Sequence, residues 1–363
     1  VQMRIDSDQP PQGYSLHIDA DGVRIVGGDA AGVFHGLTTL RQLLLNDPLQ
    51  LPGLHIEDQP DYAARGFMLD ISRDRVPTLE TLYLLVDDLA ALKMNQLQLY
   101  MEHTFAYADH EVVWRHASPL TPEDILRLDA YCRQRHVELV PNQNSLGHKE
   151  RWLKHPAYRH LAESPDGFED MNGRWRGPST LAPLEPGSLS LMTALYDDLL
   201  PHFTSTLFNV GCDEPWELGR GRSREAIERE GGRVYLGWLL KLHEAVRQRG
   251  RQMMFWGDII LKYPDLVPEL PPDVIVMEWG YEATHPFDAN CQHYAAAGIP
   301  FYVCPGTSSW NSLTGRADNV IGNIRAAAEA GLKHGAAGLL VTDWGDYGHW
   351  QPDRKSTRLN SSH

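Results

Sequence analysis

Two adjacent carboxylates, Asp213 and Glu214, end the apolar stretch Leu207-Phe208-Asn209-Val210-Gly211-Cys212 and are followed by Pro215 and Trp216. The first half of this stretch reads as a short buried strand. The second half puts two acids where that strand opens into a loop. Neighbouring carboxylates repel, and chemistry can use the repulsion: one group stays protonated as an acid while the other stays ionised. The pair therefore suggests proton transfer beside a developing positive charge. A solvated loop pair is the competing reading, and the rest of the chain has to decide between them.

From Arg65 onward strands and helices alternate. Strands are expected to begin near Gly66, Gln96, Glu138, Leu207, Gln252, Val274, Pro300 and Gly338. Helical patterns cover 79–93, 122–136, 189–203, 224–248, 290–297 and 319–334, with a weaker gap at 261–270. This alternation predicts an α/β protein, a (β/α)8 TIM barrel over 61–352. A doubly wound open sheet would carry a glycine-rich phosphate loop after an early strand, and none is found. Ahead of the barrel, 1–60 read as a small α+β domain. It has two strands around the turn Asp19-Ala20-Asp21-Gly22, a helix from Ala30 to about Leu45, and a boundary at Asp58-Gln59-Pro60-Asp61.

A barrel places its active groups at the C-terminal ends of its strands. The first end offers Asp70, Ser72 and Arg73, and the second offers Tyr100, Glu102 and His103. The third offers Asn142, Gln143, Asn144 and His148, and the fifth Trp256 and Asp258. The sixth offers Glu278, Trp279 and Tyr281, and the seventh Ser308, Ser309, Trp310 and Asn311. The eighth offers Asp343, Trp344, Asp346 and His349. So many tryptophans converging with polar groups on one face favour a ligand site around Asp213 and Glu214 over a solvated loop.

The formal charge of −15 argues against nucleic acid and anionic membrane as partners. No run of about 18 apolar residues suggests a membrane span. Cys132, Cys212, Cys291 and Cys304 lack metal-site spacing and read as free thiols, which favours a reducing compartment. The chain starts Val1-Gln2-Met3, so a removed leader stays open. At the other end, residues 353–363 spell what a widely used sequencing adapter encodes in one reading frame. Natural sequence is expected to stop near Pro352, without the last barrel helix.

The pieces and their order resemble glycoside hydrolase family 20, the β-N-acetylhexosaminidases, from about Gly13 to Pro352. Phe34-His35-Gly36-Leu37-Thr38-Thr39-Leu40-Arg41-Gln42-Leu43-Leu44 resembles that family's zincin-like accessory domain. Arg65-Gly66-Phe67-Met68-Leu69-Asp70-Ile71-Ser72-Arg73 resembles its first barrel strand. Asn209-Val210-Gly211-Cys212-Asp213-Glu214 resembles its His-x-Gly-Gly-Asp-Glu. The resemblance implies retaining, exo-acting hydrolysis of terminal β-linked amino sugars without a cofactor or metal. The substrate's own 2-acetamido oxygen is the nucleophile, an exception to the usual two-carboxylate scheme. It implies Glu214 as acid and then base, and Asp213 as the ionised group that orients the acetamido N–H. Gly211 is expected to supply the backbone freedom that turns both acids to one sugar.

The resemblance also implies a binding set. Arg65 is expected to grip sugar hydroxyls, with a salt bridge at the barrel bottom as its plainer alternative. Trp256, Trp279 and Trp344 are expected to wall the sugar and its acetamido methyl, and Asp346 to meet its outer hydroxyls. His148, His103, Asn142 and Trp310 join from their strand ends, His103 with a structural role equally open. The chain also departs from the family. Asn209 and Cys212 replace a histidine and a glycine, and Cys304-Pro305-Gly306-Thr307-Ser308-Ser309-Trp310-Asn311 stands where a Tyr-x-Asp is usual. Tyr281 is the expected substitute for that tyrosine. Asp346 is shorter than the family's glutamate, which leans the preference towards GalNAc over GlcNAc. The expected partner is an amino-sugar-containing oligosaccharide or glycoconjugate. Two other readings stay open: a non-catalytic amino-sugar-binding barrel, and a retaining glycosidase whose nucleophile is a second acid such as Glu278. A metal hydrolase finds no ligand spacing to support it.

Overall fold

Side chains alternate along β-strands, and burial in this protein follows that period. The computed structural model describes residues 1–46, 51–170, 172–313 and 315–346, so His349 and the tail 353–363 lie outside the described residues. In the small domain, β1 (Gln2–Ile5), β2 (Tyr14–Asp19), β3 (Gly22–Gly27) and β4 (Leu54–Asp58) form one sheet in the order β1-β3-β2-β4. Tyr14, Leu16 and Ile18 alternate inward on β2 and meet Ile25 and, from the helix Ala30–Asn46, Leu40. The β2–β3 hairpin and the helix are as the sequence predicts. β1 and β4 are additional: β1 is only four residues long and exposed along its whole length.

The second sheet has eight strands: β5 (Ala64–Asp70), β6 (Gln96–Tyr100), β7 (Glu138–Val140), β10 (Leu207–Asn209), β11 (Gln252–Trp256), β12 (Ile275–Trp279), β13 (Phe301–Cys304) and β14 (Gly338–Asp343). A separate two-stranded hairpin, β8 (Phe168–Glu169) with β9 (Trp175–Arg176), lies between β7 and β10. Every neighbouring pair in the eight-stranded sheet is parallel, and β14 pairs with β5 from Gly338 against Ala64 to Asp343 against Leu69. The ring closes between β7 and β10. There Asn209 N–H donates to Pro141 O, Gln143 N–H donates to Asn209 O, each at 3.0 Å, and Asn142 bridges Asn209 in parallel. This is a TIM barrel.

Register decides which side chains reach the site. Met68, Tyr100, Met254, Trp256, Met277, Tyr302, Cys304 and Leu340 pack together inside the barrel. Their strand neighbours Leu97, Leu99, Phe208, Met253, Phe255, Val276, Phe301 and Val303 pack in the larger core shared with the helices. The helix Leu79–Ala91 is capped by Thr78, and Pro122–Arg133 by a capping box of Thr121 and Asp124. The single helix expected over 224–248 is two, Arg224–Glu230 and Arg233–Arg247. Gly231, at φ 59°, breaks the first. The weak gap before β12 holds only 3-10 turns with Pro264 and Pro268 in them. No helix among the described residues is long and apolar enough to cross a membrane.

Candidate active site

After Asn209 the chain keeps pairing with β11: Val210 N–H donates to Met254 O at 2.8 Å and Trp256 N–H to Gly211 O at 2.9 Å. Regular alternation would now turn Asp213 and Glu214 to opposite sides. Instead Gly211, Cys212 and Glu214 take φ values of 68°, 71° and 42°. These left-handed residues turn the extended segment so that His148 reaches both acids. At Gly211 a side chain has no room, because a Cβ would fall 2.7 Å from Asn144 Cγ. Cys212 takes the same backbone region with a side chain, buried and with its thiol 3.5 Å from Val210 O.

The third-strand loop packs directly on this turn. A Cβ on Gly147 would fall 2.5 Å from Asp213 O. Next to it His148, at φ 53°, puts Nε2 3.2 Å from Asp213 Oδ2 and 3.6 Å from Glu214 Oε2. Asn144 Nδ2 donates to Asp213 Oδ1 at 2.6 Å, and Asn144 Oδ1 accepts from the N–H groups of Cys212 and Leu146. Asp213 is buried at 5% exposure, while the Glu214 side chain is 33% exposed. One acid is thus held beneath and the other faces the opening.

The electrostatics separate the two acids. Burial alone would raise the Asp213 pKa, but the charge and hydrogen bond of His148, with Asn144, take it below the usual carboxylate value. Glu214 moves the other way, raised by burial and then by the Asp213 charge. For His148, burial opposes the imidazolium, and the charge and hydrogen bond of Asp213, with the charge of Glu102, override it and raise the ring to about 10. Opposite shifts on two adjacent carboxylates are what an acid beside an ionised partner requires.

A second layer supports them. Arg73 Nη1 donates to Glu102 Oε1, lies 3.7 Å from Asp70 and, through Nε, 3.5 Å from Asp346. Glu102 Oε1 also accepts from Tyr100 OH at 3.1 Å and sits 3.8 Å from His148 Nδ1. Burial raises Glu102 to about 7 against the pull of Arg73 and His148. On the far side Asp258 Oδ2 accepts from Glu214 N–H at 3.3 Å, and burial followed by the Asp213 charge pushes its pKa to about 8.

The aromatic residues form one connected wall. Trp344 Nε1 donates to Tyr281 OH at 2.7 Å and its ring meets Tyr100 edge-on at 4.7 Å and Trp256 at 6.1 Å. Tyr281 stacks with Trp279 at 5.1 Å and meets Trp310 edge-on at 4.8 Å. Asn319 Nδ2 fixes the segment by donating to Tyr281 O at 2.6 Å, and Asn323 Nδ2 by donating to Gly280 O at 2.9 Å. Burial and a low-polarity setting keep the Tyr281 hydroxyl protonated, its pKa well above the ordinary tyrosine value.

Several expected positions need correction. Arg65 lies at the start of β5, at the opposite end of the barrel. Its guanidinium donates to Lys93 O, Tyr62 O and Gln12 Oε1 at 2.7, 2.7 and 2.9 Å. It joins the barrel bottom to the small domain, through carbonyl oxygens rather than a salt bridge. The arginine at the site end of that strand is Arg73. Asn142 is fully buried with Oδ1 accepting from Met101 N–H at 3.4 Å, and Asn144 is the amide on Asp213. His103 is buried next to Glu102 in the chain, with no hydrogen bond or ion pair to Asp213 or Glu214 among the described residues, and burial takes its pKa down to about 4. Glu278 is not a second acid in the site. It points to the helix layer, where Oε1 accepts from His285 Nε2 at 2.9 Å and Asn290 Nδ2 at 2.7 Å. Arg73, Glu102, Asn144 and Asp258 are named among the strand-end groups in the sequence reading but left out of its binding set, and the structure brings all four to the carboxylate pair or its support.

His148, Asp213 and Glu214 are also a group whose ligand atoms, all within 4.8 Å of one another, could hold a metal ion. Their hydrogen bond and opposite charges account for the approach without one.

The fold and the site together are those of a TIM barrel with a carboxylate pair, an aromatic wall and a charged rim at its C-terminal face. Residues 62–311 match the catalytic domain of glycosyl hydrolase family 20, and residues 1–59 match domain 2 of the same family. The chain belongs to glycoside hydrolase family 20. It is 24% identical over 327 residues to a beta-hexosaminidase of Porphyromonas gingivalis, covering 81% of this chain and 41% of that protein. It is 26% identical over 283 residues to hexosaminidase D of Bos taurus, covering 72% of this chain and 78% of that one. The crystallised chitobiase of Flavobacterium johnsoniae superposes with a TM-score of 0.77 at 23% identity, covering 93% of this chain and 53% of that chain. The chain spans less than half the length of the Porphyromonas relative.

Proposed function

We propose that this protein is an exo-acting, retaining β-N-acetylhexosaminidase that works by substrate-assisted catalysis. The observation that carries the reading is the split pair: Asp213 buried, ionised and held by His148 and Asn144, and Glu214 half-buried with its pKa raised. Glu214 gives its proton to the leaving oxygen and then takes one from water. Asp213 orients the acetamido N–H and stabilises the oxazolinium charge as the acetamido oxygen closes on the anomeric carbon. Tyr281, which accepts from Trp344 and keeps its own proton, donates to the acetamido carbonyl oxygen. Trp256, Trp279 and Trp344 wall the acetamido methyl and the ring. Arg73, rather than Arg65, meets the outer hydroxyls together with Asp346.

The commitment of Glu278 to His285 and Asn290 speaks against an enzyme-derived nucleophile from that strand. The short Asp346, 3.5 Å from Arg73, supports room near the sugar's O4 and a preference for GalNAc. A panel of chromogenic β-GalNAc, β-GlcNAc and β-glucoside substrates tests both levels. Release of the amino sugars with no comparable release of glucose is expected, GalNAc being faster. Comparable turnover of the plain glucoside sinks the substrate-assisted mechanism. Faster GlcNAc release overturns the preference alone.

A further inference from the structure

Two of the chain's ten tryptophans stand in water: Trp175 at 70% exposure and Trp216 at 42%. The other described tryptophans are buried or half-buried. A single exposed indole is ordinary. These two sit on segments that are tied to each other beside the proposed acid. Trp216 follows Glu214 by two residues, its N–H donating to Glu214 O at 2.8 Å. Trp175 is on the β8–β9 hairpin.

The tie is a reciprocal clasp of two fully buried carboxylates. Glu217, from the segment after Glu214, accepts from Ser164 N–H and Thr180 N–H, each at 3.1 Å, and from Ser179 N–H and the Ser179 hydroxyl. Glu163, from the hairpin's loop, accepts from Ser223 N–H at 2.8 Å, the Ser223 hydroxyl at 2.6 Å and Gly221 N–H at 3.2 Å. Arg220 donates to Glu169 O on the hairpin at 3.0 Å. The backbones touch closely enough that a Cβ on Gly221 would fall 2.0 Å from Glu163 O. A buried carboxylate is costly unless donors offset its burial, and here Glu217 accepts through both oxygens and Glu163 through Oε1, every donor coming from the other loop. The two loops therefore stand as one rigid unit.

The leaving oxygen must come within hydrogen-bond reach of Glu214 to receive its proton. Whatever that oxygen carries is then brought over the segment that follows Glu214. We propose that residues 215–223 and the clasped residues 163–170 and 172–180 form a leaving-group subsite, in which Trp216 is the stacking face for the first sugar ring of the leaving group and Trp175 a second face further out. The occupant is a pyranose, which has an apolar C–H face for an indole and a hydroxyl rim for the polar residues around it. The exposed residues near Trp175 in the sequence, Asp166, Asn172 and Arg174, are polar, which suits a sugar's hydroxyl rim better than a lipid chain. The inference rests on Glu214 as the proton donor.

The test compares kcat/KM for a β-linked amino-sugar disaccharide with that for the methyl β-glycoside of the same amino sugar, whose leaving group is too small to reach either indole. Trp216→Ala is expected to lower the disaccharide-to-methyl ratio about tenfold, and Trp175→Ala about threefold. Loops that merely fold less well would lower both substrates together. An unchanged ratio in both variants overturns the subsite. If the parent protein cleaves neither substrate, the hydrolase assignment fails, and calorimetric binding of the intact disaccharide and the free monosaccharide reads the subsite alone. Selective weakening of the disaccharide in Trp216→Ala then upholds it, and equal affinities, or no binding, overturn it.

Discussion

One strand ends in an arginine at both faces of the barrel, and the two arginines are in opposite situations. Arg65 at the bottom of β5 is surrounded by neutral oxygens: backbone carbonyls of Tyr62, Ala63 and Lys93, and the Gln12 amide. Arg73 beyond its top faces Glu102, Asp70 and Asp346. At the bottom every donor has a local acceptor and nothing is left to bind a ligand. At the top, negative groups crowd, and Asp213, Glu214 and Asp258 join them, with His148 in contact with Asp213 and Glu214. Burial, helped by the crowding of like charges, favours the protonated form of some of them, and Asp70, Glu102, Glu214 and Asp258 are all shifted upward. A saturated hydrogen-bond cluster holds domains together, whereas a charge-crowded one stores protons for chemistry.

The sharpest break in this comparison is at the pair itself. Glu214→Gln is expected to lower kcat by about 10²- to 10⁴-fold on substrates with poor leaving groups. The loss is much smaller where the leaving group needs no proton. Asp213→Asn is expected to cost about hundredfold to thousandfold on both kinds, since the charge it stabilises forms either way. Steady-state rates on good and poor leaving groups check this, and equal losses for Glu214→Gln would remove its role as acid. Next in size are two arginine-to-lysine exchanges, which keep the charge but lose the planar fork. Arg73→Lys should lower kcat/KM by about tenfold or more, with folding little changed. Arg65→Lys should cost about 1 to 3 kcal/mol of stability through lost hydrogen bonds, with kcat/KM unchanged. Urea unfolding beside kinetics separates them, and a reversed pattern would restore Arg65 to the site.

The same contrast explains what could be read beforehand. The barrel was legible because its strands are buried on both faces, so apolar runs such as Met253–Trp256 and Val274–Met277 stand out between helical patterns. Arg65 was misplaced although its position at the start of a strand already put it at the face that serves stability. Asn142 and Asn144 could not be told apart in the same way, since they share a side of any extended segment. Only the tight turn at Gly211 and Cys212 shows which amide Asp213 meets. Glu278 looked like a site acid because it ends a strand. Its neighbours Met277 and Trp279 face inward, so the period of two turns it to the helices. Past the last ladder hydrogen bond, side-chain direction depends on individual φ values that no periodicity carries.

A titration effect comes next in size, and its sign distinguishes Asp258 from Asp213. The Asp258 pKa is raised to about 8 in the folded state, above the ordinary aspartate value of about 4, mainly by burial. Its stabilising share is therefore present below about pH 4 and is lost progressively as pH climbs to about 8. Asp258→Asn keeps an oxygen for the Glu214 N–H and removes the titration. Its stability relative to the parent should grow across pH 4 to 8 and then level off, as read from urea midpoints. For Asp213, whose pKa is lowered, the stabilising share lies above the unfolded value and is lost as pH falls through the folded one. A gap for Asp258→Asn that does not change with pH would show that Asp258 is not held protonated.

The smallest expected effect is at Cys212, beside the position where only glycine fits. Gly211 and Cys212 share nearly the same φ, yet a side chain at the first would strike Asn144 while the thiol at the second is accommodated in the core. Left-handed backbone costs a residue with a Cβ roughly 1 to 2 kcal/mol. Cys212→Gly removes that strain, but it frees the unfolded chain, which costs about 0.4 to 1 kcal/mol, and it empties the buried space of the thiol. The terms nearly cancel, so stability should move by less than about 1 kcal/mol and kcat/KM by less than about threefold. Gly211→Ala, by contrast, should lose both stability and activity, because its Cβ displaces the amide that holds Asp213. If Cys212→Gly instead costs stability on the scale of a core truncation, about 2 kcal/mol or more, the thiol is packing the turn into place. The turn that carries Asp213 and Glu214 would then be supported from beneath by the residue that replaces the family's glycine.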